Sequence, residues 1–591
     1  MATHAPVAEP ALNVGLRSRR RFALAGGAAA YLALAVATSW SVLSLSTTRG
    51  TTCACADPSL FVWFFEWPLV ALSHGTNPFY SSAMFHPEGI NLLSNTSVTA
   101  WSFVLLPVTA LFGPIASLNV ALVAAPVLSG AAAMWTAQRW VRSSLAAFVA
   151  GGLYAFSPLV LFTGAGAHLM LTSLVVPPLA VACLDELFWR RRQPAVRVGI
   201  ALGALAILQF FASTEMLVML SVAVVASLVV LAAAAALADR RALAIAVRHG
   251  APGLGVAAAI ALAVLAWPAW YALFGPGHQV GALSLGSHPP LASVRSFVAA
   301  VPGPALWWSP TSGRFMSPSY LGPPLIATLL VGLVVFRRSL RLRAAVAIAA
   351  VLAWLTLSPM YGFGVWHYVH RIPILDDVVN IRFSALLFLP VGLALAVVLD
   401  EVLHRRRDAL GVALALLIGA ACVTPFALNA ANGLPYHASA VWEPLWYQRN
   451  VDRLAPGQVI LGFPLFNTSE DLLSVQALHG MHYAVVGGSG PDANFEGQGR
   501  EGLAYRLLER LSSSGFASTP PIWRNQREDV LAALKAWGVT YVVVTVARGP
   551  GTLNVARPPA VVAAWFRTLL GPPRLEDGAW VWHLARRPAA S

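Results

Sequence analysis

Long apolar runs alternate with short arginine-rich intervals over the first 430 residues of this 591-residue chain. A helix needs about 20 apolar residues to cross roughly 30 Å of hydrocarbon, so each such run predicts a membrane span. The first, at about 22–45, follows Arg17, Arg19, Arg20 and Arg21, and the excess of basic residues in inner loops puts the tail 1–21 in the cytoplasm. The interval Cys53–Asn95 is then outside; it is too polar to span and too apolar for a free linker. The next run, SVTAWSFVLLPVTALFGP at about 98–114, is short, contains Pro107 and ends without a basic residue. The run at 115–137 ends in Arg139 and Arg142. If both crossed, those arginines and every later cluster would fall outside, so 98–114 is read as re-entrant or non-spanning.

Further spans follow at about 143–162, 169–188, 198–213, 216–237, 251–274, 320–336, 344–358, 383–402 and 409–430. Of the 25 arginines before residue 431, only Arg49, Arg295, Arg314, Arg371 and Arg382 then lie outside. The expected architecture is a polytopic α-helical membrane protein of about eleven spans, N-terminus in and C-terminus out. Residues 22–430 form the transmembrane module, with 46–114 as a large first outer loop bearing surface helices.

The pattern changes at 431–591. VILGFPLF and YVVVTV read as buried strands, EGLAYRLLERL and EDVLAALKAW as amphipathic helices. They predict an extracytoplasmic α/β or α+β domain.

Composition agrees: 57% hydrophobic, 11% charged and a mean hydropathy of +0.67 exclude an ordinary soluble protein. The net charge of +14 comes in clusters between apolar runs, the signature of loops facing anionic membrane lipid rather than nucleic acid. Basic residues are arginine apart from Lys535, which suggests a GC-rich bacterial genome and hence a bacterial plasma membrane. Four cysteines make no disulfide framework; Cys183 and Cys422 fall in apolar runs, and an oxidising outer compartment would allow a Cys53–Cys55 bridge, as a tight ring. No small-residue cleavage site follows the first run, so an uncleaved anchor is expected.

Ionisable groups at a membrane face are costly and usually functional. The outer acids before the C-terminal domain are Asp57, Glu66, Glu88, Glu215, Asp376 and Asp377; the inner ones (Asp185, Glu186, Asp239, Asp400, Glu401 and Asp408) neighbour arginines and read as helix-end partners. Asp57 can act as general base on a hydroxyl, with an N-cap before Pro58 as its plain alternative. Glu66 binds substrate or simply faces water. His86 and Glu88 contact substrate or fix a turn. His168, beside Gly164 and Gly166, marks close substrate approach or loop geometry. Glu215 is a ligand or a bystander to helix capping by Ser213 or Thr214. Arg371 and Arg382 can hold a phosphate, although Arg382 could instead pair with Asp376 or Asp377. Trp63, Phe64, Phe65 and Trp67 can stack on sugars or form an interfacial belt.

Ala56-Asp57-Pro58 soon after the first span, the aromatic loop, PFYSSAMFHPEGINL, and Val379-Asn380-Ile381-Arg382-Phe383 at the head of a late span together resemble the GT-C glycosyltransferase superfamily, and its actinobacterial members most. The resemblance implies a polyprenyl-phosphate-linked sugar donor, a glycan, lipid or protein acceptor in the cell envelope, and a first-loop aspartate as base, which Asp57 matches by position. The family's usual Asp-x-Asp or Glu-Asp pair is absent, and His168 stands where some members place a metal-binding acid. No cofactor is therefore expected, and a divalent metal is not favoured. The rival readings are a transporter or lipid flippase and a non-catalytic envelope glycan-binding or assembly protein.

Overall fold

The computed structural model describes residues 9–53, 56–94, 98–278, 297, 317–357, 366, 378–465, 471–488, 499–513, 524–546 and 556–584. Helices α1 (Glu9–Thr38) and α2 (Trp40–Leu45) cover the first predicted span, and α3 (Ala56–Ser73) follows in the outer loop. The 98–114 run forms two short helices, α4 (Thr99–Val104) and α5 (Leu106–Phe112), broken at Leu105. Then come α6 (Pro114–Trp140), α7 (Ser144–Ala155), α8 (Pro158–Ala165), α9 (Leu169–Thr172) and α10 (Val176–Leu184), the last continuing in a π-turn at Asp185–Arg190. The bundle is completed by α11 (Ala195–Ala212), α12 (Thr214–Ala238), α13 (Arg240–Phe274), α14 (Pro323–Val335), α15 (Leu340–Thr356), α16 (Ser384–Arg405) and α17 (Ala409–Ala430).

Every predicted span thus coincides with a helix. Among the described residues eight are long and apolar enough to cross a membrane, nine if the bent pair α7–α8 counts as one. The expected spans at 320–336 and 344–358 are shorter, 13 and 17 residues in α14 and α15. At the other extreme α13 has 35 residues, about 52 Å at 1.5 Å per residue. Large apolar side chains stay exposed on the bundle's outside, among them Leu262, Val334 and Leu417, as contact with lipid rather than water requires.

Side-chain contacts sort the loops into two ends. At one end Arg20 donates to the Gln138 carbonyl at 2.8 Å, Arg139 pairs with Glu186 at 2.6 Å, and Arg341 reaches the Trp140 carbonyl. Asp185 pairs with Arg190 at 2.5 Å, so these inner acids are the arginine partners expected. Asp400 differs: it accepts the Arg142 and Ser143 amides at 2.9 and 2.8 Å, holding the turn that leads into α7 from another helix. At the other end Asn119, early in α6, holds the Thr47 and Gly50 carbonyls. Trp101 of α4 donates to Ser173, and Thr109 of α5 meets Ser117. Both halves of the 98–114 run therefore have side-chain partners at that second end.

After four two-residue strands, β1 (Gly50–Thr51), β2 (Tyr80–Ser81), β3 (Ile90–Asn91) and β4 (Ser439–Ala440), the C-terminal region carries a five-stranded sheet of β5 (Val459–Phe463), β6 (Ala484–Val485), β7 (Tyr541–Thr545), β8 (Arg574–Glu576) and β9 (Ala579–His583). Its order is β6-β5-β7-β9-β8, with β6, β5 and β7 parallel and β9 and β8 antiparallel. Alternating residues sort the core by face. Ile460, Val543 and Val581 pack with Trp446 and Tyr447. Leu461, Val542, Val544 and Trp582 face the amphipathic helices, in a core continuous with that of the membrane bundle. Short ladders bind the outer loop to itself and to this region: Tyr80–Ser81 with Ile90–Asn91, and Gly50–Thr51 with Ser439–Ala440.

Candidate functional site

The site occupies the end of the bundle that carries the first outer loop. Asp57 is the second residue of α3; the structure describes its backbone, in a first turn where the helix dipole favours an acid. Position 66 lies nine residues on, two and a half turns, and so on the opposite face of the helix. The backbone of α3 thus carries positions 57 and 66 on opposite faces. Glu66 is half-buried between Phe65 and Trp67, and burial pushes its carboxyl up to about 7. It does not simply face water.

The aromatic residues of α3 do not form an open sugar platform. Trp63, Phe64 and Phe65 are fully buried, and Trp63 stacks on Trp67 at 5.7 Å. Burying such a ring is worth roughly 1.5–3 kcal/mol, which explains why the helix turns them into the core. Phe79 is likewise engaged, packing against Phe103, Phe211 and Trp267.

The loop after α3 folds back over the ends of other helices. Asn77 donates to the Tyr271 hydroxyl at 2.9 Å and Asn91 to the Tyr271 carbonyl at 2.7 Å. His86 bonds its own turn, with Nδ1 3.1 Å from the Ser82 carbonyl oxygen, and the Glu88 carbonyl accepts the Tyr80 hydroxyl at 2.7 Å. Burial and the Glu88 charge raise the Tyr80 hydroxyl's pKa. His168 is buried, 1% exposed, between α8 and α9. A methyl group at Gly166 would come within 2.7 Å of its ring, and one at Gly164 within 2.5 Å of the Tyr436 hydroxyl. Those small residues are explained by packing within the chain.

Arg382 finds a partner that local sequence did not suggest. Its Nη1 lies 2.5 Å from Glu215 Oε2, with side chains 12% and 16% exposed. Glu215 stands in the first turn of α12, which Ser213 caps by accepting the Met216 amide. Arg382 belongs to a 3-10 turn, Asn380–Phe383, anchored by Asn380 donating to the last carbonyls of α15, at 3.1 Å to Thr356 and 2.6 Å to Leu357. Backbone and guanidinium are thus both fixed. Glu215 Oε1 is buried without a hydrogen-bond partner among the described residues and can accept a proton donor from a ligand.

Arg371, with Arg314, Asp376 and Asp377, lies outside the described residues. Cys53 is disulfide-bonded while Cys183 and Cys422 are free; Cys55 lies outside the described residues. Among the described residues no three His, Cys, Asp or Glu side chains gather as metal ligands.

The sequence signalled neither the attachment of this loop to the C-terminal sheet nor its means. Ser59 and Ser474 hydroxyls meet at 2.8 Å, and Trp63 donates to Gln476 at 2.7 Å. Residues 83–86 then line up along β6, the Val485 amide donating to Ala83 and the His86 amide to Val485, at 2.9 and 3.1 Å.

No family model matches the chain, and no curated protein does. Among solved structures it is similar to the archaeal oligosaccharyltransferase AglB from Archaeoglobus fulgidus, solved with an inhibitory peptide and a dolichol-phosphate, at 12% identity and a TM-score of 0.48, over 88% of this chain and 69% of that one. It is also similar to the arabinofuranosyltransferase AftD from Mycobacteria, at 16% identity and a TM-score of 0.49, over 92% of this chain and 38% of that one. Both of these solved structures are GT-C membrane glycosyltransferases.

Proposed function

We propose that the chain is a GT-C-type glycosyltransferase that moves a sugar from a polyprenyl-phosphate donor to an acceptor on the outer face of a bacterial plasma membrane. The observation that carries this reading is a fixed arginine, Arg382 held by Glu215 and Asn380, at the end of an apolar bundle that also bears the outer loop and its helix-start acid. In the reaction Asp57 takes the proton of an acceptor hydroxyl. That oxygen bonds to the anomeric carbon as the carbon–oxygen bond to phosphate breaks, and the electron pair leaves on the polyprenyl phosphate. Arg382, with Arg371 or Arg314, stabilises the departing charge, and an arginine already in place does so without reorganising. Glu66, His86, Glu88, His168 and Glu215 shape the surroundings of the sugar and acceptor, and no metal is required.

The test is transfer by purified protein from a polyprenyl-phosphate sugar to envelope glycan, lipid or peptide acceptors. Asp57→Asn should abolish transfer while the variant still purifies as folded protein. Wild-type turnover in that variant would remove Asp57 from the mechanism. Net movement of the donor lipid across sealed vesicles with no covalent product would replace the reading with a flippase.

A further inference from the structure

We propose that Gln476 is a positioning residue of this site, the joint through which the C-terminal region sets the first outer loop. Gln476 belongs to the helix Asp471–Leu478, between β5 and β6, and is fully buried. Its Oε1 accepts from Trp63 Nε1, and its Nε2 donates to the Ala83 and Tyr483 carbonyls, each at 2.7 Å. One amide thereby ties α3, with Asp57 in its first turn, the turn that carries His86 and Glu88, and the edge of the sheet. A buried amide with all three bonds made is stabilising, and one left half-made is costly, so the joint has a single low-energy arrangement.

Two further features belong to the same joint. The Phe85 amide donates to the Gly487 carbonyl at 3.0 Å, extending the pairing along β6. A methyl group at Gly488 would collide with Met84 and Phe85. The Gly487-Gly488 pair therefore lets the outer loop lie flat against the sheet. Residues on α3 and on the turn keep a fixed separation only while this contact is closed.

The proposal rests on the transferase reading, since positioning has meaning only for a reaction, but its first readout is independent of activity. Hydrogen exchange on the full chain in detergent or nanodiscs compares wild type, Gln476→Met and Gly488→Ala. In both variants the amides of Phe85, His86 and Val485 should exchange roughly tenfold or more faster, while those of Val542, Val543 and Val544 keep their protection. In the transfer assay kcat should fall by about tenfold or more with little change in donor KM, because small misplacements of reacting groups act on turnover. Unchanged exchange at 85–86 in both variants, or equal loosening of the whole sheet, overturns the proposal; so does unchanged kcat. If Gln476→Met does not fold, Gly488→Ala, which leaves all three Gln476 bonds available, decides the matter. A wild-type protein that transfers no sugar sinks the transferase reading and with it the catalytic part, whereas loosened amides would still establish the joint.

Discussion

Replacing Glu66 by Gln tests the burial of α3 directly. The glutamine keeps the volume and cannot ionise. In the wild type, burial lifts the carboxyl from its ordinary 4.5 to about 7. Between those values the folded chain binds more protons than the unfolded one, so stability falls as pH rises across that window and levels off above it. The interval, at about 1.36 kcal/mol per pH unit, corresponds to about 3 kcal/mol; the residual exposure of the side chain reduces the expected effect to about 2 kcal/mol. Unfolding midpoints in detergent, followed by tryptophan fluorescence from pH 4.5 to 8, should start close together for the two proteins. They should then separate, with Glu66→Gln the more stable at high pH. Midpoints that run parallel, or a wild type that gains on the variant as pH rises, would refute the burial argument.

Other expectations are independent of this one. His479 lies 2.6 Å from Glu443 and 2.7 Å from Asp452. The Glu443 bond, against desolvation and helped by Asp452, raises its pKa from 6.5, so its stabilising charge is present below 6.5 and lost as pH rises through the folded value. His479→Gln should cost most stability near pH 6 and progressively less in alkali, measured as denaturant midpoints. Glu215→Gln removes the carboxylate that pairs with Arg382 and should cost roughly 3 kcal/mol, with Glu215→Gln/Arg382→Gln recovering part of it; an unshifted melting temperature in the single variant would show the pair to be idle. Chelation by EDTA should leave transfer unchanged, an expectation from the missing Asp-x-Asp pair; a loss restored by Mg²⁺ or Mn²⁺ would reverse it.

Much of the bundle was legible because a span is a local signal, an apolar run bounded by arginines. In the 98–114 segment two such signals point apart: Arg139 and Arg142 argue against a crossing that hydropathy would allow. β5 and β7 were legible as apolar runs, whereas β6, two residues long, and β8 and β9, with their mix of Trp, His and Glu, were not. The site was less readable. Arg382 pairs with Glu215, 167 residues away, whereas Asp376 and Asp377, the acids nearest it in sequence, lie outside the described residues. In α3 nearly every position is apolar, so no amphipathic stripe announces which face docks on the sheet-bearing region. Contacts of that range leave no periodicity to read.

The tie between Trp63 and Gln476 spans 413 residues of chain. Growing at roughly 5–20 residues per second, the polypeptide needs about 20–80 s to supply the second partner after the first has emerged. During that interval α3 can pack on α4, α5 and α6, which follow it directly, but its face toward the helix Asp471–Leu478 is uncovered and the carbonyl of Ala83 lacks its amide. The outer loop is thus among the first segments made and among the last finished. Assembly of this protein needs something to shelter that aromatic helix, the bilayer surface or a chaperone, until the C-terminal strands arrive.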